Sequence, residues 1–175
     1  MRGFFGVGVE RMSKPMNAGT LFRTAHAFGA GFVFTIDAAY SVNAARSDTS
    51  RTPDNLPWYT YDKPADLKLP QGCKLVGIEL LDQAVDLPSF RHPQRAAYVL
   101  GPEQGSLSPE LVARCDHVIK IPTSFCVNVG VAGAIVMYDR LITLGKFAER
   151  PLSPLGKPTW PEDKGGRQRK RIVES

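Results

Sequence analysis

Short apolar runs alternate along the chain with stretches of helical spacing. Residues 6–11 form a β-type run that ends at Glu10 and Arg11. Behind Asn17, which the pattern predicts as a helix N-cap, Leu21, Ala25 and Phe28 recur at helical spacing, and Gly29 and Gly31 close that helix. Phe32–Ile36 is a predicted strand ending at Asp37. Residues 41–57 are polar and irregular, and Trp58–Tyr61 is a short predicted strand. Residues 74–81 and 96–100 are further strands, the second stopped by Gly101 and Pro102. Ser108, Pro109 and Glu110 supply a capping hydroxyl, a proline at the first helical position and an acid in the first turn, so a helix starts there and runs to about Cys115. Residues 117–121 form a strand ended by Pro122, and a long helix extends from Asn128 to about Leu144. Strands alternating with helices predict an α/β domain with a mostly parallel sheet flanked by helices.

A chain of 175 residues suits one domain and can bury a core without disulfides. With 43% apolar and 22% charged residues, disorder of the whole chain is excluded. The net charge is +5, which permits a polyanionic partner without requiring one. Residues 151–175 carry six basic and three acidic side chains, against sixteen and fourteen in the first 150, so most of the excess sits in a tail. Pro151, Pro154, Pro158 and Pro161 open that tail, before Gly165, Gly166 and a basic cluster, which places the domain at 1–150 and a tail at 151–175. Cys73, Cys115 and Cys126 are odd in number and lack CxxC spacing, so no disulfide framework is read. His26, His92 and His117 show no metal-binding spacing. The apolar start is broken at Glu10 and Arg11, and the longest uncharged apolar run, residues 129–138, is too short to span a bilayer, so the reading is cytoplasmic.

Three segments carry candidate chemistry. In residues 17–29, Thr20, Arg23, Thr24 and Ala27 share a small polar face opposite Leu21 and Phe28; this suits a ligand, but also an ordinary amphipathic helix. Residues 98–108 run from a strand through a glycine-containing loop into a capped helix, at a strand end where α/β sheets gather ligands. The loop matches no nucleotide-phosphate motif, and Glu103 would repel a phosphate, so it favours a cationic or neutral ligand over a nucleotide phosphate, with a plain connecting turn as the alternative. Residues 121–140 contain Asn128 as an N-cap and a helix that is apolar all round its first three turns. Such a helix is buried on every side, either as a central core helix or with one face against a second subunit, where Gly130, Gly133 and Ala134 allow close packing.

In this order and spacing the three segments resemble the SpoU (TrmH-like) branch of the SPOUT RNA methyltransferases. Asn17, Gly19, Arg23, Ala25, Phe28 and Gly29 match every fixed position of the family's N-x-G-x-x-x-R-x-A-x-x-F-G motif. Residues 100–108, continuing through Cys115 and Asp116 to Ile121 and Pro122, resemble its second motif, and residues 126–130 its third. The likeness covers roughly residues 5–147. It implies a carboxyl-terminal deep trefoil knot, S-adenosylmethionine held by the knot loops, a homodimer packed through the first and last helices, and no metal. It implies methyl transfer to a ribose 2′-hydroxyl of RNA, with transfer RNA ahead of ribosomal RNA, and a minimal, single-domain member. The catalytic residues it implies are Arg23, Asn17, Glu103 and Asn128. A free guanidinium stays protonated, so Arg23 is read as orienting the hydroxyl and a neighbouring phosphate, and as assisting proton removal only once bound. The implied cofactor contacts are Glu79, Leu100, Gly101, Gly105, Ile121, Cys126, Val127 and Val131, with main-chain groups at Gly101 and Ile121 holding the adenine end. Arg23, Arg46 and Arg51 are the implied RNA contacts, and the basic tail is a further one or else a solvated terminus.

The third motif departs from the family at two places, where Cys126 and Gly130 stand in place of serines. These departures leave two alternatives open: a non-catalytic RNA-binding protein on the same fold, and a relative that methylates a base.

Overall fold

The computed structural model describes residues 3–38, 55–151 and 153–159. The chain divides into two compact units, residues 1–145 and 146–175. In the second, the backbones of Glu149 and Thr159 exchange hydrogen bonds of 2.6 and 3.2 Å in an antiparallel bridge.

The first unit runs β1 (Phe4–Glu10), α1 (Pro15–Ala27), β2 (Phe32–Ile36), β3 (Trp58–Tyr61), β4 (Lys74–Ile78), β5 (Val85–Asp86), β6 (Arg95–Leu100), α2 (Pro109–Arg114), β7 (His117–Lys120) and α3 (Val129–Leu144). Among the described residues the strands form one sheet in the order β3-β2-β1-β6-β4-β7-β5, and all six pairings are parallel. A parallel sheet needs cover on both faces, and the strand residues alternate accordingly. Phe5, Val7 and Val9 of β1, Val76 and Ile78 of β4, and Ala96, Tyr98 and Leu100 of β6 face α1 and α3. Phe32, Phe34 and Ile36 of β2, Leu75 of β4, and Ala97 and Val99 of β6 face α2 and the single turn at Pro64–Asp66. The register sets Gly6 beside Phe32 and Gly8 beside Phe34. A Cβ at either glycine would fall inside the neighbouring ring, so the glycines let both phenylalanines lie flat along the sheet.

Three sequence expectations meet corrections. Asn17 does not cap α1, because Pro15, with its fixed φ, starts the helix earlier, with Lys14 at the cap position. The strand expected at 74–81 ends at Ile78, and β5 had no alternating signal, since both its residues are exposed. The last helix begins after Asn128 as expected, but is not buried on every side of the single chain: Val131, Ile135, Tyr138 and Ile142 are exposed. Ser108 caps α2, its hydroxyl accepting from Leu111 N–H at 3.2 Å. No helix among the described residues is long and apolar enough to cross a membrane.

Candidate functional site

A cavity of about 310 Å³ opens at the carboxyl ends of β4, β6 and β7, closed on one side by the first turns of α1 and α3. In open parallel sheets this is where ligands bind, because backbone groups and loop side chains converge there. Asn17, Glu79, Leu100, Gly101, Glu103, Gly105, Ile121, Cys126, Val127 and Asn128 all line it. Arg23 and Val131 do not. Arg23 is exposed on the outer face of α1, and Val131 is half-exposed on α3. Arg46 and Arg51 lie outside the described residues.

One chain of polar side chains crosses the wall. The Asn17 amide donates to Glu103 Oε1 at 2.8 Å, and the Asn128 amide donates to Asn17 Oδ1 at 3.5 Å. Asn128 Oδ1 accepts from Gly130 N–H at 2.9 Å, which caps α3. The late position of Asn17 in the first turn of α1 frees its side chain for this tertiary role. Burial alone would push the Glu103 carboxyl up. Hydrogen bonds from its own loop backbone, the Asn17 amide and Ser13, with the nearby charge of Lys14, outweigh burial and hold it below the usual carboxylate range. Glu103 therefore presents a negative charge at neutral pH.

The loop at 101–108 is tied from two sides. Glu79 Oε2 accepts from Leu107 N–H at 2.8 Å, while its Oε1 accepts from Leu80 N–H at 2.9 Å. From the end of β1, Glu10, only 1% exposed, accepts the backbone N–H of Ser108 at 2.7 Å and also its hydroxyl. Arg11 donates to Ser106 O at 2.6 Å. The sequence reading took Glu10 and Arg11 only as the end of an apolar run. The sequence shows only an acid closing a buried strand, and nothing in the pattern names its partner Ser108. It also missed Lys14, Lys120 and Thr123 on the cavity wall. Lys120 sits at the carboxyl end of β7, where ligands gather, and donates to Leu81 O at 3.4 Å and Asp82 O at 3.3 Å.

Gly130 explains one motif departure. A Cβ there would stand 3.2 Å from both Asn128 Oδ1 and Thr20 Cγ2, so the glycine lets the first turn of α3 close against α1. The chemistry available is therefore that of two hydrogen-bonded carboxylates, Glu79 and Glu103, two amides, two ammonium groups and exposed backbone, around a cavity sized for a small molecule. No cluster of side chains that could hold a metal occurs among the described residues.

Comparison with known proteins places this geometry among relatives. A family model described as the SpoU rRNA Methylase family matches residues 5–138. A tRNA (guanosine(18)-2'-O)-methyltransferase of Escherichia coli K12 is 29% identical over 143 residues, which is 76% of this chain and 61% of that enzyme. The chain thus spans about three fifths of that relative's length. The SpoU methyltransferase AviRb from Streptomyces viridochromogenes, solved in complex with the cofactor AdoMet, superposes with a TM-score of 0.71 at 24% identity, covering 83% of this chain and 60% of AviRb. A structure concerned with 2-OH methylation of C/U34 on tRNA gives a TM-score of 0.70 at 22% identity, covering 81% of this chain and 91% of that one.

Proposed function

Because the chain belongs to the SpoU rRNA methylase family, we propose that it is an S-adenosylmethionine-dependent RNA methyltransferase whose acceptor is a ribose 2′-hydroxyl of transfer RNA. The observation that carries this reading is the Glu103–Asn17–Asn128 chain on the wall of a cavity at the strand ends. The E. coli relative, named for 2′-O-methylation of a transfer RNA guanosine, supports the acceptor, and the AdoMet complex of AviRb supports the methyl donor.

When bound, S-adenosylmethionine supplies an electrophilic methyl group on a positively charged sulfur. The residues of this cavity fit such a group. The anionic Glu103 offers a cation its counter-charge, and the backbone of Gly101 and Ile121 offers directional bonds to an adenine edge. Asn17 holds Glu103 in place and is itself held by Asn128. Lys14 and Lys120 on the same wall suit RNA phosphates. Arg23, off the wall, orients the ribose and an adjacent phosphate rather than the donor. The remaining parts of the reading are a deep trefoil knot in the carboxyl-terminal part of a domain at 1–150, a tail at 151–175 that adds phosphate contacts, cytoplasmic residence, and a homodimer through α1 and α3. The exposed Val131, Ile135, Tyr138 and Ile142 support the dimer, since one α3 face is apolar and open to water.

Nucleoside mass spectrometry of transfer RNA incubated with the protein and S-adenosylmethionine tests the activity. A 2′-O-methylated nucleoside is expected, and Asn128→Ala is expected to abolish it. A base-methylated nucleoside overturns the acceptor. The absence of any methylated nucleoside, with folded protein, overturns the enzyme.

A further inference from the structure

Phe125 is 77% exposed, although large aromatic side chains are normally drawn into cores. It stands between Thr123 and Cys126, both on the wall of the cavity. The Thr123 hydroxyl donates to the Phe125 carbonyl at 2.9 Å, tying the backbone that carries the ring. The sequence neighbours Thr123, Ser124 and Cys126 are small, exposed residues with polar or thiol side chains, so the stretch of chain that carries the ring is polar rather than apolar. Consecutive Cα atoms are about 3.8 Å apart, so the backbone that carries the ring lies at the rim of the cavity, next to Cys126 on its wall. Lys14 and Lys120 place positive charge on the same wall. An exposed aromatic near cationic groups is the arrangement by which proteins hold single-stranded nucleic acid, the ring stacking on a base and the cations meeting the backbone.

We propose that Phe125 is a stacking platform for a nucleobase of the RNA substrate, that of the methylated nucleotide or of its neighbour. The proposal rests on the RNA reading above and adds a specificity-determining contact outside the motifs that carry it. Stacking requires a π-face, so Phe125→Trp keeps it, while Phe125→Leu keeps only apolar bulk and Phe125→Ala neither.

The test compares these three variants with the parent chain. In methyl transfer to transfer RNA, Phe125→Ala and Phe125→Leu are expected to raise KM for RNA by about tenfold. Their affinity for S-adenosylmethionine, measured by calorimetry, is expected to stay within about twofold, and Phe125→Trp to match the parent. The added tryptophan of Phe125→Trp, read as the fluorescence difference from the parent, is expected to be quenched by a short oligouridine and not by an abasic oligomer of equal length. Rescue by leucine as complete as by tryptophan overturns the proposal, as does a matching loss of S-adenosylmethionine affinity or a shift of Phe125→Ala in the monomer–dimer balance. Absence of quenching, or equal quenching by the abasic oligomer, also overturns it. Should the parent transfer no methyl group to any RNA, the enzymatic reading fails, and the quenching experiment alone still decides the stacking.

Discussion

Glu10 shows how much one side chain can set in the site without touching a ligand. Its carboxylate is almost fully buried and takes both the N–H and the hydroxyl of Ser108, 98 residues away. Ser108 in turn caps α2, so a single acid fixes both the start of that helix and the end of the loop carrying Gly101, Glu103 and Gly105. Glu10→Gln keeps the shape but turns an amide donor towards groups that are themselves donors. The expected cost is about 1–3 kcal/mol, a fall in Tm of about 2–4 °C per kcal/mol for a chain of this size, and weaker S-adenosylmethionine binding as the loop loosens. Thermal melts and calorimetry check both; unchanged values would mean that the Glu10–Ser108 bonds contribute nothing. At this scale Asn17, Glu103 and Asn128 were readable from motif spacing, while Glu10 was not. Its role depends on a partner in a distant segment, and a sequence pattern records only the neighbours along the chain.

Among the elements, α3 is secured at both ends by different chemistry. Its first turn is fixed at the site by the Asn128 cap. Its later turns are pinned at the amino-terminal ends of the central strands β1 and β6 by Arg140, 2% exposed, which donates to Pro93 O at 2.5 Å, Gln94 O at 2.8 Å and Phe4 O at 3.4 Å, and to the Tyr98 hydroxyl at 3.2 Å. The same hydroxyl lies 2.6 Å from His92 Nδ1, and His92 Nε2 lies 2.9 Å from Asp139. Burial lowers the His92 pKa below its ordinary 6.5, only partly offset by the hydrogen bond and charge of Asp139. The folded chain then refuses a proton that the unfolded chain accepts. Stability is full above about 6.5 and declines as pH falls from there through the folded value. The urea midpoint is expected to drop over that window in the parent and to drop less in His92→Gln. Glu103 and Asp116, whose pKa values are depressed from 4.5 and 3.8, begin to lose their contributions only as the pH falls below those ordinary values. The extent of α3 and the Ser108 and Asn128 caps were legible because capping chemistry is local. The start of α1 was misplaced because Asn17 is a good cap by type and its amide is engaged elsewhere. The Arg140 network was invisible, since a lone arginine in an apolar helix reads as a solvated charge until its carbonyl partners are brought to it.

At the scale of the whole molecule, the exposed faces of α1 and α3 bear on how the site is completed. Arg23 lies off the wall of its own chain's cavity, exposed on α1, one of the two helices through which the homodimer is proposed. Each site in that dimer is expected to draw Asn128 from one copy and Arg23 from the other. Arg23→Ala and Asn128→Ala, each inactive alone, are therefore expected to recover methyl transfer when unfolded and refolded together, and a mixture as inactive as its parents would place both residues within one chain's site. The α/β class was readable from the alternation of strand and helix signals, and the glycines of β1 mark a sheet face where rings lie flat. The strand order was not readable, because alternation fixes which side a residue faces and says nothing of which strand lies next to which. That order has a consequence in time. The central pairing joins β1 to β6, segments some ninety residues apart, and contacts of such separation form slowly because long loops must close first. On the ribosome the first strand must wait, unpaired on that side, until β6 emerges. The cavity gains its last wall only when the first turn of α3 arrives, so the ability to bind a methyl donor must wait until that segment is made.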